Sequence, residues 1–319
     1  MSAAERERHG SNTLDPHVYH TLHTGTLGDI AFYCDLVAQL IAGRSHKAPD
    51  ASPPRVLELG CGAGRIAIPL AEIGAQVVGV DHHSGLLDLA RFEFERRCAT
   101  RSDAESLELA QRLDLVHLDF ESLSRDRLPQ PDKDFDLIVL PYNGLYCLLT
   151  EAKQRALIKA SCQLLAPHGA LWTDGYALPD PSEYLYESED DYSPLTVIEL
   201  LEPHAQDTTA ASPRTLGVEE RDHFTLSEQR LDIHYRYRAA PEDQDREPLH
   251  GTVEIIKHRY IYPWQLQSLC GQAQSELVEI YADFDEELAL TDDLRDSPWG
   301  IELEHWVAHI RPKSDLQTP

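Results

Sequence analysis

The chain has 319 residues, room for one large α/β domain or for a core domain with a smaller lobe. No apolar run approaches the ~20 residues of a membrane span, and the charged start MSAAERERHG lacks a signal peptide's apolar segment, so a cytoplasmic protein is expected. A net charge of −27 argues against nucleic acid or an acidic membrane as partner, and fits a small cationic or neutral substrate or a surface whose acidity only maintains solubility.

Taken in chain order, residues 1–53 form an N-terminal extension in which the stretch from Asp29 has helical periodicity through Ile30, Tyr33, Leu36, Val37 and Leu40. The proline-rich APDASPP ends that helix. Strands and helices then alternate over residues 54–176. VLELG, VVGV, LDLVHLD, FDLIVLP and ALWTDGY read as strands, and RIAIPLAEIG, LLDLARFEFERRCAT and EAKQRALIKASCQLL as helices, with APHG as a turn. Such interleaving implies βαβ units and a parallel sheet.

The pattern changes over residues 177–262. Acid-rich ESEDD reads as a loop, and LTVIELLE, ERDHFTLSEQRLDIHYRYR and TVEIIKHRYIY as antiparallel strands, with PEDQDREP connecting two of them. Residues 263–319 supply a helix over 264–273 and the strands LVEIYADFD and HWVAHIRP, which complete the core sheet. The expected fold is α/β: a Rossmann-like, doubly wound, mostly parallel seven-stranded sheet with an antiparallel β insertion after strand five. Six scattered cysteines without a CxxC pair suggest neither a disulfide framework nor a metal site.

Gly60, Gly62 and Gly64 follow the first strand directly, where glycine lets a ligand approach the backbone. Asp81 ends the second strand at the spacing where a carboxylate can bind both ribose hydroxyls, or cap the helix that follows. Together they indicate an adenosine-containing ligand. The order G-C-G-A-G followed by Arg65 departs from the dinucleotide pattern G-x-G-x-x-G, and no G-x-x-x-x-G-K-[ST] is present.

ELGCGAGRIAIPLA with Asp81 downstream resembles motif I and its partner acid in class I S-adenosylmethionine-dependent methyltransferases. LDLVHLDF, FDLIVLPYNGLYCLL and LLAPHGALWTDG resemble the family's later motifs in the same order, and the resemblance spans about residues 54–176. It implies S-adenosyl-L-methionine as methyl donor. Glu58 and the loop Gly60, Cys61, Gly62 and Gly64 would hold its methionine end, Asp81 the ribose, and His82 the adenine face. Asp119 would accept from the adenine amino group with Phe120 against the ring, and Leu140 would offer its carbonyl to the ammonium.

On the acceptor side, Asn143 stands where glycine-type N-methyltransferases carry an asparagine after strand four, although Tyr142 and Gly144 depart from their pattern. Tyr33 could approach the sulfonium with its oxygen, with Tyr19, His20, Asp29 and Phe32 as further cap residues. His258 is the general-base candidate in the insertion, or a satisfied sheet histidine. The expected reaction is in-line transfer of a methyl group to a small molecule, nitrogen favoured over sulfur or oxygen, with no metal, nucleic-acid or membrane partner. Aminopropyl transfer on the same fold and a non-catalytic donor-binding protein are the alternatives; FDLIVLPYNG lacks the acid that the former chemistry wants.

Overall fold

A computed structural model describes residues 6–9, 15–47, 52–178, 192–200, 214–239, 244, 249–289 and 304–313. The chain divides into two compact units, one of residues 1–24 with 180–260 and one of residues 25–179 with 261–319. The smaller begins with β1 (Arg6–His9) and α1 (Pro16–Leu22). The larger begins with α2 (Asp29–Lys47) and continues through β2 (Arg55–Leu59), α3 (Ala67–Glu72), β3 (Gln76–Asp81), α4 (Ser84–Ala99), α5 (Asp103–Ala110), β4 (Leu113–His117), β5 (Phe135–Leu140), α6 (Glu151–Cys162) and β6 (Leu165–Tyr176). The strands β7 (Thr196–Leu200), β8 (Arg214–Thr225), β9 (Arg230–Arg238) and β10 (Thr252–Arg259) belong to the smaller unit. The larger is completed by α7 (Pro263–Gln272), β11 (Ser275–Ala282), β12 (Asp285–Ala289) and β13 (His305–Pro312).

The larger unit's sheet runs β12-β11-β13-β6-β5-β2-β3-β4. The ladders from β6 to β4 are parallel, while β13, β11 and β12 join antiparallel. This is the expected Rossmann-like sheet of seven strands, lengthened at one edge by the short hairpin strand β12. Every residue of β2 is buried, as a central strand covered on both faces must be. Chain order reverses between β2 and β5, which makes the carboxyl ends of those two strands the topological switch point, where ligands bind in such sheets.

One face of the sheet packs on α2 through Phe32, Tyr33, Leu36 and Val37, in a core that includes Ile68, Leu70, Val77, Leu87, Val139 and Trp172. The expected stripe is displaced at its start: Ile30 is exposed, and Asp29 takes the inward position. Helix α5 arises in a stretch that reads as merely polar. Ser102 and Glu105 form a capping box there, the Glu105 carboxylate accepting from Ser102 N at 3.2 Å, a signature visible in S-D-A-E. APHG lies inside the irregular start of β6 rather than in a free turn. A Cβ at Gly169 would stand 2.8 Å from the Phe135 carbonyl, so β5 and β6 approach at a spacing only glycine allows.

The smaller unit is a five-stranded sheet, β1-β10-β9-β8-β7, antiparallel except that β1 runs parallel to β10. Val18 of α1 packs on Leu216, Val218, Tyr235 and Tyr237. ESEDD and most of PEDQDREP lie outside the described residues. No helix among the described residues is long and apolar enough to cross a membrane.

Candidate functional site

The turn after β2 is built from three glycines at positive φ, Gly60 (+74°), Gly62 (+53°) and Gly64 (+81°). Gly60 N and Cys61 N both donate to Val80 O, at 2.8 and 3.0 Å, which seats the turn against the end of β3. Two of the glycines are there for different reasons. A Cβ on Gly64 would press on Ile68 Cδ1 at 2.8 Å and Ala90 Cβ at 3.3 Å, so helices α3 and α4 require it. A Cβ on Gly62 would meet nothing within 4 Å: its backbone borders open space, as a ligand cradle does.

Asp81, buried at the end of β3, ties this turn to the next helix. Its Oδ2 accepts from Gly62 N at 2.8 Å and its Oδ1 from His83 N at 2.7 Å. It is not the cap of α4; His83 is, accepting from Leu86 N through Nδ1 at 3.3 Å. A carboxylate offers about four acceptor sites, so two remain for ligand hydroxyls.

Glu58 is 2 % exposed, and its Oε2 has no hydrogen-bond partner. Burial pushes its carboxyl well above the usual carboxylate range, opposed by the charge of Arg65 and a hydrogen bond from the Ala67 backbone N–H. Arg65 in turn forks onto Asp29, Nη1 to Oδ1 and Nη2 to Oδ2, each at 2.7 Å. Gly25 makes room for that fork, since a Cβ there would lie 2.1 Å from the guanidinium carbon. The first turn of α2 is thereby fastened to the residue that follows the glycine loop.

The remaining expected donor-site residues surround the same strand ends. The Cys61 side chain turns into the core, leaving only its backbone on the loop. His82 is half-buried, its Nδ1 3.7 Å from Asp81 Oδ1 and its Nε2 buried without a partner. Asp119 is exposed and accepts from Glu121 N at 2.9 Å, capping a short turn. Phe120 Cε1 stands 3.7 Å from the position a Cβ on Gly60 would take, so its ring borders the glycine loop. Leu140 is buried, and its carbonyl accepts from Thr173 Oγ1 at 3.0 Å.

Beyond β5 the chain makes a sharp turn in which Tyr142 (φ +53°) and Asn143 (φ +61°) are both left-handed. Asp174, near the end of β6 and 1 % exposed, holds it: Tyr142 N donates to Oδ2 at 3.0 Å and Asn143 N to Oδ1 at 3.2 Å. The Tyr33 hydroxyl, wholly buried, donates to Asp174 Oδ2 at 2.6 Å. Burial and the Asp174 charge keep that phenol protonated, far above its ordinary range. Asn143 Oδ1 accepts from Tyr176 N at 2.7 Å, which fixes the amide's orientation and leaves its Nδ2 donors unused among the described residues.

Tyr33 and Asn143, far apart in sequence, thus meet on one carboxylate that sequence reasoning missed. The only signal for it was the aspartate of ALWTDGY, inside what reads as an ordinary buried strand. In the sequence Arg65 stands out only as the residue in place of the third dinucleotide glycine. Phe32 is core, edge-on to Trp172 at 5.3 Å between centroids. His258 belongs to the smaller unit, buried in β10, where burial first and His23 second depress its imidazole to about 4. Tyr19, also there, packs its ring 4.2 Å from that of His23. A crevice of about 450 Å³ between α4, α5 and β4, lined by Arg91, Phe94 and Cys98 among others, shares no residue with the glycine loop.

Residues 56–169 match a family model described as "Methyltransferase domain". The cypemycin N-terminal methyltransferase of Streptomyces sp is 29% identical over 140 residues, 44% of this chain and 47% of that protein; the chain thus spans about half the length of this relative. Among solved structures, the CcbJ methyltransferase of Streptomyces caelestis superposes with a TM-score of 0.58 at 22% identity, covering 94% of this chain and 99% of that one. S-adenosylmethionine-bound CalS10, an amino pentose methyltransferase of Micromonospora echinaspora, gives 0.51 at 16% identity, covering 95% and 99%.

Proposed function

We propose that the chain, whose residues 56–169 match the methyltransferase-domain model and whose fold is that of solved methyltransferases, is an S-adenosylmethionine-dependent enzyme that methylates a small molecule. The observation that carries this reading is the glycine turn at the switch point: an open backbone at Gly62, Asp81 beside it, and the orphaned buried oxygen of Glu58 below. The residues suit the donor. Asp81 has acceptor sites left for ribose hydroxyls, Glu58 Oε2 can accept from an ammonium, and Phe120 offers an apolar face at the turn.

Bound there, S-adenosylmethionine supplies a methyl group activated by a positive sulfur. The chain's own contribution is positioning and exclusion of water. Tyr33 commits its proton to Asp174, so its oxygen presents only lone pairs, the polarity that suits a neighbouring cation. Asn143 has donors available: with one lone pair of Oδ1 engaged by Tyr176 N, both hydrogens of Nδ2 are unused among the described residues. Those donors suit a carboxylate, carbonyl or hydroxyl oxygen of the acceptor. Nitrogen is favoured as the methylated atom because a net charge of −27 gathers amines, and the name of the cypemycin relative, an N-terminal methyltransferase, points the same way. Other relatives are named ubiquinone biosynthesis O-methyltransferases. Sulfur or oxygen would need the same geometry.

Calorimetry with S-adenosylmethionine and S-adenosylhomocysteine, followed by methyl transfer to a panel of small amines, thiols and alcohols, tests the reading. Both nucleosides should bind, and an amine bearing an oxygen group should be methylated. Binding of neither would end the proposal.

A further inference from the structure

We propose that Asp174 is the positioning residue of the acceptor side: it holds the loop after β5 in the one conformation that presents Asn143, and so sets turnover without touching the methyl donor. The inference rests on the functional reading above. It starts from strain. Two consecutive residues with side chains, Tyr142 and Asn143, sit at φ +53° and +61°; the conformation is costly for a tyrosine and persists only where the surroundings over-determine it. What over-determines it here is a single carboxylate. Both strained residues give their amide N–H to Asp174, and a third donor, Tyr33 Oη, reaches it from α2.

The arrangement makes the loop depend on three distant parts of the chain at once. Asp174 lies on β6, Tyr33 on α2, and the strained pair follows β5. Tyr176, two residues beyond Asp174, holds the Asn143 side chain by Oδ1, so β6 grips Asn143 by both backbone and side chain. Loss of the carboxylate would release the backbone half of that grip and leave Asn143 held only through its side chain. The donor-side residues Glu58, Gly62 and Asp81 make none of these bonds.

Asp174 also titrates in an accessible range. Burial raises its carboxyl to about 6, against the pull of the Tyr33 phenol and the two loop amides, with Asp29 adding a like charge. The other ionisable groups facing it are Arg65 and the phenol of Tyr146. Protonation turns one of its oxygens into a donor and loosens the three-donor grip.

The test uses the full-length protein and needs no known acceptor. Amide hydrogen exchange at Tyr142 and Asn143, corrected for intrinsic rates, is measured against pH with and without S-adenosylhomocysteine. In the wild type, protection should fall as pH drops through about 6. Asp174→Asn should exchange at least tenfold faster at both amides with no such pH step, while β2 and β3 stay protected and S-adenosylhomocysteine affinity is unchanged. If that variant fails to fold, Tyr33→Phe keeps the carboxylate but removes a bond to its charged form, and should move the step to higher pH. With an acceptor from the panel, Asp174→Asn should lose at least tenfold in kcat, and adding Tyr142→Gly, which tolerates positive φ, should restore severalfold.

Wild-type exchange at Asp174→Asn, or undiminished kcat, would overturn the inference. Failure of the wild type to bind S-adenosylhomocysteine would instead remove the functional reading, while the exchange data would still decide whether Asp174 holds the loop.

Discussion

Arg65 closes a two-point fork on Asp29, both N–O distances 2.7 Å, with the carboxylate 2% exposed and the guanidinium 19% exposed. The pair joins the start of α2 to the residue after the glycine loop, and its geometry is the bidentate kind only arginine makes. Removing one partner of a buried pair strands the other. Arg65→Ala is expected to lose about 3–5 kcal/mol in urea unfolding. Arg65→Ala with Asp29→Ala should recover part of that loss, and a double-mutant cycle with no coupling would show the fork to be ornamental.

The glycine loop allows a sharper comparison. Gly64→Ala puts a methyl against Ile68 and Ala90, so the main loss should be stability, of about 1–3 kcal/mol. Gly62→Ala meets no atom and carries only backbone strain, so its stability cost should be smaller while donor affinity falls. Thermal unfolding and calorimetry on the two variants separate the roles. Equal donor affinity in wild type and Gly62→Ala would place the ligand elsewhere.

Asp81→Ala removes the acceptor for Gly62 N and His83 N together with the charge offered to ribose. Affinity for S-adenosylhomocysteine should weaken by about 1–3 kcal/mol. Part of that loss belongs to the loop, which Asp81→Asn, keeping one acceptor oxygen, should show by losing less.

The smaller unit should be acid-labile. Burial lowers His23 and His258 from 6.5 to about 4. A depressed folded-state pKa means the unfolded chain binds the proton first, so the stabilisation is complete above 6.5 and lost as pH falls toward 4. His258→Gln should therefore flatten the pH dependence of unfolding in that window, as followed by hydrogen exchange of β9 and β10. At neutral pH the His258 imidazole is uncharged, and a group so depressed is a weak base.

Tyr146 carries a last prediction. Its buried hydroxyl accepts from Trp306 Nε1 at 2.9 Å and lies 2.9 Å from Tyr176 O and 3.0 Å from Ile261 O. Tyr146→Phe leaves the indole N–H buried without an acceptor and should cost about 1–3 kcal/mol in denaturant unfolding. Because Tyr146 lies three residues from Asn143, turnover is worth following in the same variant.

The sequence by itself determined what is local or periodic. Alternating strands and helices required the parallel sheet, G-C-G-A-G after VLEL required a tight turn, and Asp81 follows at a fixed distance along the next strand. Those signals are legible because each is set by neighbours in the chain: a glycine where φ must be positive, an acid where a strand must end. The left-handed pair gave only a partial signal: asparagine followed by glycine marks a turn at Asn143, but nothing in the sequence marks Tyr142. What permits their conformation is Asp174, more than thirty residues on, and what orients Asp174 is Tyr33, 141 positions before it. Only tertiary structure decided that these three share one carboxylate, because burial is what gives that carboxylate its strength: in water its bonds to two amides and a phenol would be traded for solvent at little cost, and in the core they cannot be.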